Sequence, residues 1–124
     1  MPWVVRLAEE FEQELLNLER EVRNKLAATA LLLEANGPQL GRPHVDTLKG
    51  AKHPNMKELR FVAAGGAWRV AFAFDPARQA ILLVAGDKAG VGEDRFYKRL
   101  IATADARYAR HLEQLGKAHG KKGK

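Results

Sequence analysis

Three short apolar runs joined by tight turns constrain this chain more than any other feature. The run Trp68-Arg69-Val70-Ala71-Phe72-Ala73-Phe74 is entered through Ala64-Gly65-Gly66-Ala67 and left through Asp75-Pro76-Ala77-Arg78-Gln79, with a β-rich run at Glu58–Ala63 before it and another at Ile81–Ala85 after it. Connections this short allow only neighbouring antiparallel strands, so residues 58–85 read as a three-stranded meander. Strict alternation in the central run sends Trp68, Val70, Phe72 and Phe74 to one face and Arg69, Ala71 and Ala73 to the other. The same alternation turns Leu59 and Phe61 inward and Glu58 and Arg60 outward, so Arg60 and Arg69 share a face if the hairpin register allows it.

Helical periodicity flanks the meander on both sides. A short apolar strand at Trp3–Leu7 is followed by Leu15, Leu18, Val22, Leu26, Ala30 and Leu33 recurring every three or four residues. That stripe predicts a helical hairpin, or one long broken helix, over 8–36 with its charged side in water. Asn36-Gly37-Pro38 ends it. A short strand is expected at Val45–Leu48. After Gly86-Asp87-Lys88-Ala89-Gly90 a second stripe, Tyr97, Leu100, Ala104, Tyr108, His111 or Leu112 and Leu115, predicts a basic C-terminal helix. The expected fold is α+β: a small, mostly antiparallel sheet of four to five strands, an N-terminal helical hairpin and a C-terminal helix, with the helices on one face and the other face partly open. Residues 1–115 form one domain in this reading, and 116–124 a basic, disordered tail.

The distribution of charge says more than its total of +6 over 124 residues. Residues 1–41 have a net charge of −3, 42–94 of +2 and 95–124 of +7. A chain that grades from acidic to strongly basic points to a polyanionic partner, nucleic acid above all. No apolar run approaches the roughly 18 residues of a membrane span, and the N-terminus lacks the order of a signal peptide, so a cytoplasmic protein without membrane association is expected. The absence of cysteine excludes disulfides, thiolate-bound metals and thiol nucleophiles. The four histidines have no His-x-x-x-His or other metal spacing, and no Gly-rich phosphate loop of the Walker type is present, so neither metal nor cofactor is expected.

Cations on adjacent strands suggest a surface that meets phosphate. Arg60 and Arg69 are the leading candidates, because guanidinium forks pair with phosphate oxygens; each also fits an ion-paired sheet residue. Lys57, before one strand, and Lys88, after another, are candidates for stabilising phosphate or exchanging protons, or else ordinary loop and turn residues. Tyr97 is a possible acid or base whose place on the helical stripe also suits core packing. Phe96, offset from that stripe, is free to stack on a base. Lys49, Lys52, Lys98 and Arg99 extend the cationic surface as RNA contacts. His44 and His53, in Pro-flanked loops, read as structural or solvated.

Taken in order, Gly41-Arg42-Pro43, Leu48-Lys49-Gly50, Lys57-Glu58-Leu59-Arg60-Phe61, Trp68 to Phe74, Leu83-Val84-Ala85-Gly86-Asp87-Lys88 and Phe96-Tyr97-Lys98 resemble the phage-derived HigB-like branch of the RelE/ParE toxin superfamily. The resemblance covers Trp3 to about Leu112. It implies a RelE-like fold and the toxin of a type II toxin–antitoxin pair, a ribosome-dependent endoribonuclease that cuts messenger RNA. The implied chemistry is metal-independent attack of a ribose 2′-hydroxyl on the adjacent phosphate, with Arg60, Arg69, Lys57, Lys88 and Tyr97 as catalytic residues. The implied partners are the ribosome, messenger RNA and a helix-turn-helix antitoxin of the HigA type. ParE-like members poison DNA gyrase instead, and a non-catalytic binding module is the third reading. The general acid and base stay unassigned, because adjacent Phe96 and Tyr97 compete for one position.

Overall fold

The computed structural model describes residues 2–122, the side chains of 118–122 excepted. Its elements are β1 (Val4–Leu7), α1 (Glu9–Leu15), α2 (Arg20–Asn36), β2 (Val45–Thr47), β3 (Met56–Ala63), β4 (Gly66–Phe74), β5 (Gln79–Asp87) and α3 (Glu93–Lys122), with a 3₁₀ turn at Gly37–Gln39. The strands form one sheet in the order β1-β5-β4-β3-β2, in which β1 runs parallel to β5 and the other pairs are antiparallel. The expected α+β architecture is therefore present, including the helical hairpin at α1 and α2. Of the expected tail, residues 116–122 continue the backbone of α3, while 123 and 124 lie outside the described residues.

The helices divide between the two faces of the sheet. Val70 and Phe72 of β4, with Leu59 and Leu82, pack against Phe11 of α1 and Leu26 and Leu33 of α2. On the other face Ala71 and Ala73, with Met56, Ile81 and Leu83, meet Phe96, Leu100, Ala104 and Tyr108 of α3. This corrects the expectation of an open second face. The two alanines do leave room above the sheet, and α3 takes it, because their small side chains let a helix approach closely and bury its own stripe.

That stripe starts one residue earlier than periodicity alone predicts. Phe96, Leu100, Ala104 and Tyr108 follow one another at intervals of four and are all buried, whereas Tyr97 begins the neighbouring row with Ile101 and is half-buried. Phe96 is thus a core residue, not a platform for an RNA base. Gly86 makes its position possible: a Cβ there would sit 2.9 Å from the Phe96 ring. We expect Gly86→Ala to lower unfolding stability by about 1–3 kcal/mol, as overpacking does, measured by chemical denaturation.

Polar contacts fix α3 to the hairpin. Arg107 donates to both carboxylate oxygens of Glu14, at 2.8 and 2.5 Å, and to the Leu83 carbonyl at 2.8 Å. Arg110 pairs with Glu10. The buried carboxylate of Asp75 accepts from the backbone N–H groups of Ala77 and Gln79, closing the β4–β5 turn, and lies 2.7 Å from His111 Nε2. These contacts hold the middle of α3 against α1, β5 and the β4–β5 turn.

Candidate active site

The register of the sheet builds a small lattice of charge. Arg60 of β3 stands opposite Arg69 of β4, and Asp46 of β2 stands opposite Glu58 of β3. Like charges directly opposed are unfavourable, and here each is relieved by a neighbour of opposite sign. Arg60 lies 3.6 Å from Asp46, which also holds Arg42 at 2.9 Å, and Arg69 Nε lies 3.8 Å from Glu58 Oε1. The shared face of Arg60 and Arg69 that alternation predicts is present.

The inner half of the lattice is dry. Glu58 is 5% exposed and Arg69 7%, while Arg60 is only half-buried. Arg69 Nη1 donates to the Trp68 carbonyl at 3.0 Å, but its Nε has no hydrogen-bond partner among the described residues. A buried guanidinium N–H without an acceptor costs desolvation that a phosphate oxygen would relieve.

Tyr97, from the first turns of α3, covers this pair. Its hydroxyl donates to Glu58 Oε1 at 2.9 Å, with Oε2 at 3.3 Å. Burial pushes the Glu58 carboxyl above the ordinary carboxylate range, against the hydrogen bond from Tyr97 and the charges of Arg69 and Arg60, which lower it. Burial likewise pushes Tyr97 up; Arg69 opposes this and Glu58 adds to it. Asp46 goes the other way, held down first by the Thr47 backbone N–H and then by Arg42. Two carboxylates on one face thus differ in proton affinity, the buried Glu58 raised and Asp46 lowered.

The remaining candidates separate by position. Lys88 pairs with Glu93 at 3.1 Å and lies 5.9 Å from the centre of the Tyr97 ring, at the margin of the site. Lys57 stands opposite Phe72, so alternation turns it to the α1–α2 face, away from Arg60 and Arg69. Lys49 and Lys52 are exposed on the β2–β3 loop, which Asp105 of α3 anchors by accepting from the Lys52 backbone N–H at 2.9 Å. Lys98 and Arg99 are exposed on α3. Glu58 is absent from the sequence-derived candidates, though the alternation that selects Arg60 places Glu58 two residues before it on the same face. Among the described residues, no three His, Asp or Glu side chains converge as a metal site would require.

Comparison with known proteins agrees with this architecture. Residues 13–109 match the model of the phage-derived protein Gp49-like family. A protein of Mycobacterium tuberculosis H37Rv named as the toxin HigB2 is 48% identical over 99 residues, which are 79% of this chain and 49% of that protein. The chain therefore spans about half the length of that relative. A second protein from the same strain, named as the toxin HigB3, is 47% identical over 103 residues, covering 83% of this chain and 88% of its own. Among solved structures, a double arginine-to-alanine mutant of E. coli toxin RelE in the free state aligns with a TM-score of 0.59. That alignment covers 82% of this chain and 96% of the other at 14% identity, a likeness of fold. With a family match over most of its length, two HigB-named relatives and the RelE fold, the chain belongs to the phage-derived Gp49-like family, within the RelE/HigB-like toxin superfamily.

Proposed function

We propose that this chain is the toxin of a type II toxin–antitoxin pair and cuts messenger RNA on the ribosome, without a metal ion, by attack of a ribose 2′-hydroxyl on the adjacent phosphate. The observation that carries the proposal is half-buried Tyr97 on the buried Glu58–Arg69 pair, beside half-buried Arg60. Family membership supplies the toxin reading, and the site supplies the chemistry. A helix-turn-helix antitoxin of the HigA type would neutralise the chain, and the cytoplasm is where it would act.

The step needs a base, charge stabilisation and an acid. Arg60 and Arg69 hold the non-bridging oxygens of the scissile phosphate, and the free Nε–H of Arg69 gains its missing acceptor. Glu58, whose raised proton affinity suits a base, takes the proton of the 2′-hydroxyl. As the 2′-oxygen bonds to phosphorus, the bond to the 5′-oxygen breaks. Tyr97 donates its proton to that leaving oxygen, and the proton on Glu58 then returns to Tyr97 along their hydrogen bond. The products are a 2′,3′-cyclic phosphate and a 5′-hydroxyl, and the enzyme is restored. Lys88, Lys49, Lys52, Lys98 and Arg99 add positive potential around the site, while Lys57 faces away from it. In the resting structure Tyr97 caps Glu58, so substrate enters only as the Tyr97 ring moves aside.

Inducing the chain in a bacterial host is expected to arrest growth and to shorten messages within open reading frames, and co-expression of the antitoxin encoded beside it is expected to restore both. Growth arrest with intact messages and inhibited DNA supercoiling would overturn the RNA reading.

A further inference from the structure

The edge of the sheet between α2 and β3 carries a second feature, most of whose lining the proposed chemistry leaves unused. An open groove of about 580 Å³ lies between α2 and β3, lined among others by Lys25, Leu32, His44, Phe61 and Val62. Arg60 and Arg69, the two phosphate-holding residues, line it as well. The groove and the active site meet at the sheet edge: β2 begins at Val45, opposite Leu59, so Phe61–Ala63 have no partner strand on that side.

Composition distinguishes the groove from an ordinary hydrophobic crevice. Every lining residue that ionises is basic, namely Lys25, His44, Arg60 and Arg69. Between these cations lies exposed apolar surface: Val62 is 69% exposed and Leu32 39%. Apolar and aromatic surface interleaved with cations is what a single-stranded nucleic acid uses, bases on the apolar part and phosphates on the cations. An RNA strand whose scissile phosphate rests on Arg60 and Arg69 has its neighbouring nucleotide within reach of the groove.

We infer that the α2–β3 groove is an RNA subsite, holding the base and phosphate of a nucleotide next to the scissile bond. The inference rests on the proposed messenger RNA cleavage for its placement of phosphate at Arg60 and Arg69. The groove sets affinity for the strand, and the chemistry stays with Glu58 and Tyr97.

The test uses position 62, which is exposed and outside the chemistry. Fluorescence anisotropy with a labelled, uncleavable 2′-O-methyl oligoribonucleotide is expected to show Val62→Glu binding about tenfold more weakly than the unsubstituted chain, the scale of one lost phosphate contact. Val62→Lys is expected to bind at least as tightly as the unsubstituted chain. On programmed ribosomes Val62→Glu raises KM while kcat changes little. Equal binding by all three proteins, no binding by any, or equal weakening by Glu and Lys overturns the inference. If binding depends on the charge at 62 but the unsubstituted chain cuts no message, the groove stands and the cleavage reading fails. If the chain cuts messages and both binding and KM ignore the charge at 62, the cleavage reading stands and the groove fails.

Discussion

Arg69→Ala is expected to abolish growth arrest and to lower message cleavage by about 10²-fold or more, the scale of removing one preorganised donor to a developing oxyanion. The same substitution strands the buried Glu58 carboxylate without its cation, at a cost of roughly 3–5 kcal/mol for a broken buried pair. Loss of activity in that variant therefore mixes chemistry with stability. Replacing both partners separates the two. In Glu58→Gln with Arg69→Met neither buried charge remains, and exchanging a buried ion pair for neutral groups of similar size is often near neutral in stability. We expect this double variant to melt close to the unsubstituted chain by circular dichroism and still to cut no message. A double variant that folds and cuts normally would show the pair to be a structural element only.

Tyr97→Phe is expected to reduce cleavage by about 10²–10³-fold, the range of a positioned acid or base, while the core stripe of α3 stays intact because Phe96 and not Tyr97 heads it. The pH profile gives a sharper reading. Burial raises Glu58 above the ordinary carboxylate range, so cleavage should rise with pH along an acidic limb displaced above that range. The Tyr97 hydrogen bond opposes the shift, so removing it moves the residual limb to higher pH. Glu58→Gln should remove the limb. Stability runs the opposite way along pH: a carboxyl raised on folding binds its proton more tightly in the folded state. Its contribution is fully present below the unfolded-state value and is lost as pH rises through the folded-state value. An acidic limb at the same pH in Tyr97→Phe and the unsubstituted chain would exclude Glu58 as the base.

Alternation alone makes most of the sheet legible. It places Arg69 opposite the Trp68, Val70, Phe72 and Phe74 face and gives Arg60 the same side, and turn lengths join β3, β4 and β5 into one meander. It says nothing of what lies above a face. The Ala71 and Ala73 face therefore reads as open, although α3 covers it, because long-range packing leaves no mark in the sequence of a single strand. Phe96 and Tyr97 exchange roles for a related reason: adjacent rows of a helix both match a spacing of three or four, and packing against the sheet, Gly86 included, selects the row of Phe96. Lys57 is separable from Arg60 by parity alone, since residues three apart on a strand face opposite ways. Glu58 is equally legible by parity, but a search for phosphate-binding cations passes over the carboxylate between them. Its raised proton affinity, by contrast, comes from burial under Tyr97, 39 residues distant in sequence, and no local pattern encodes it.

The most direct measurement programs purified ribosomes with a defined message, adds the purified chain, and maps both fragment ends. The account predicts cleavage in the ribosomal A site that leaves a 2′,3′-cyclic phosphate and a 5′-hydroxyl, and that disappears with Glu58→Gln. Fragments ending in a 3′-hydroxyl and a 5′-phosphate, or cleavage undiminished in Glu58→Gln, would contradict it.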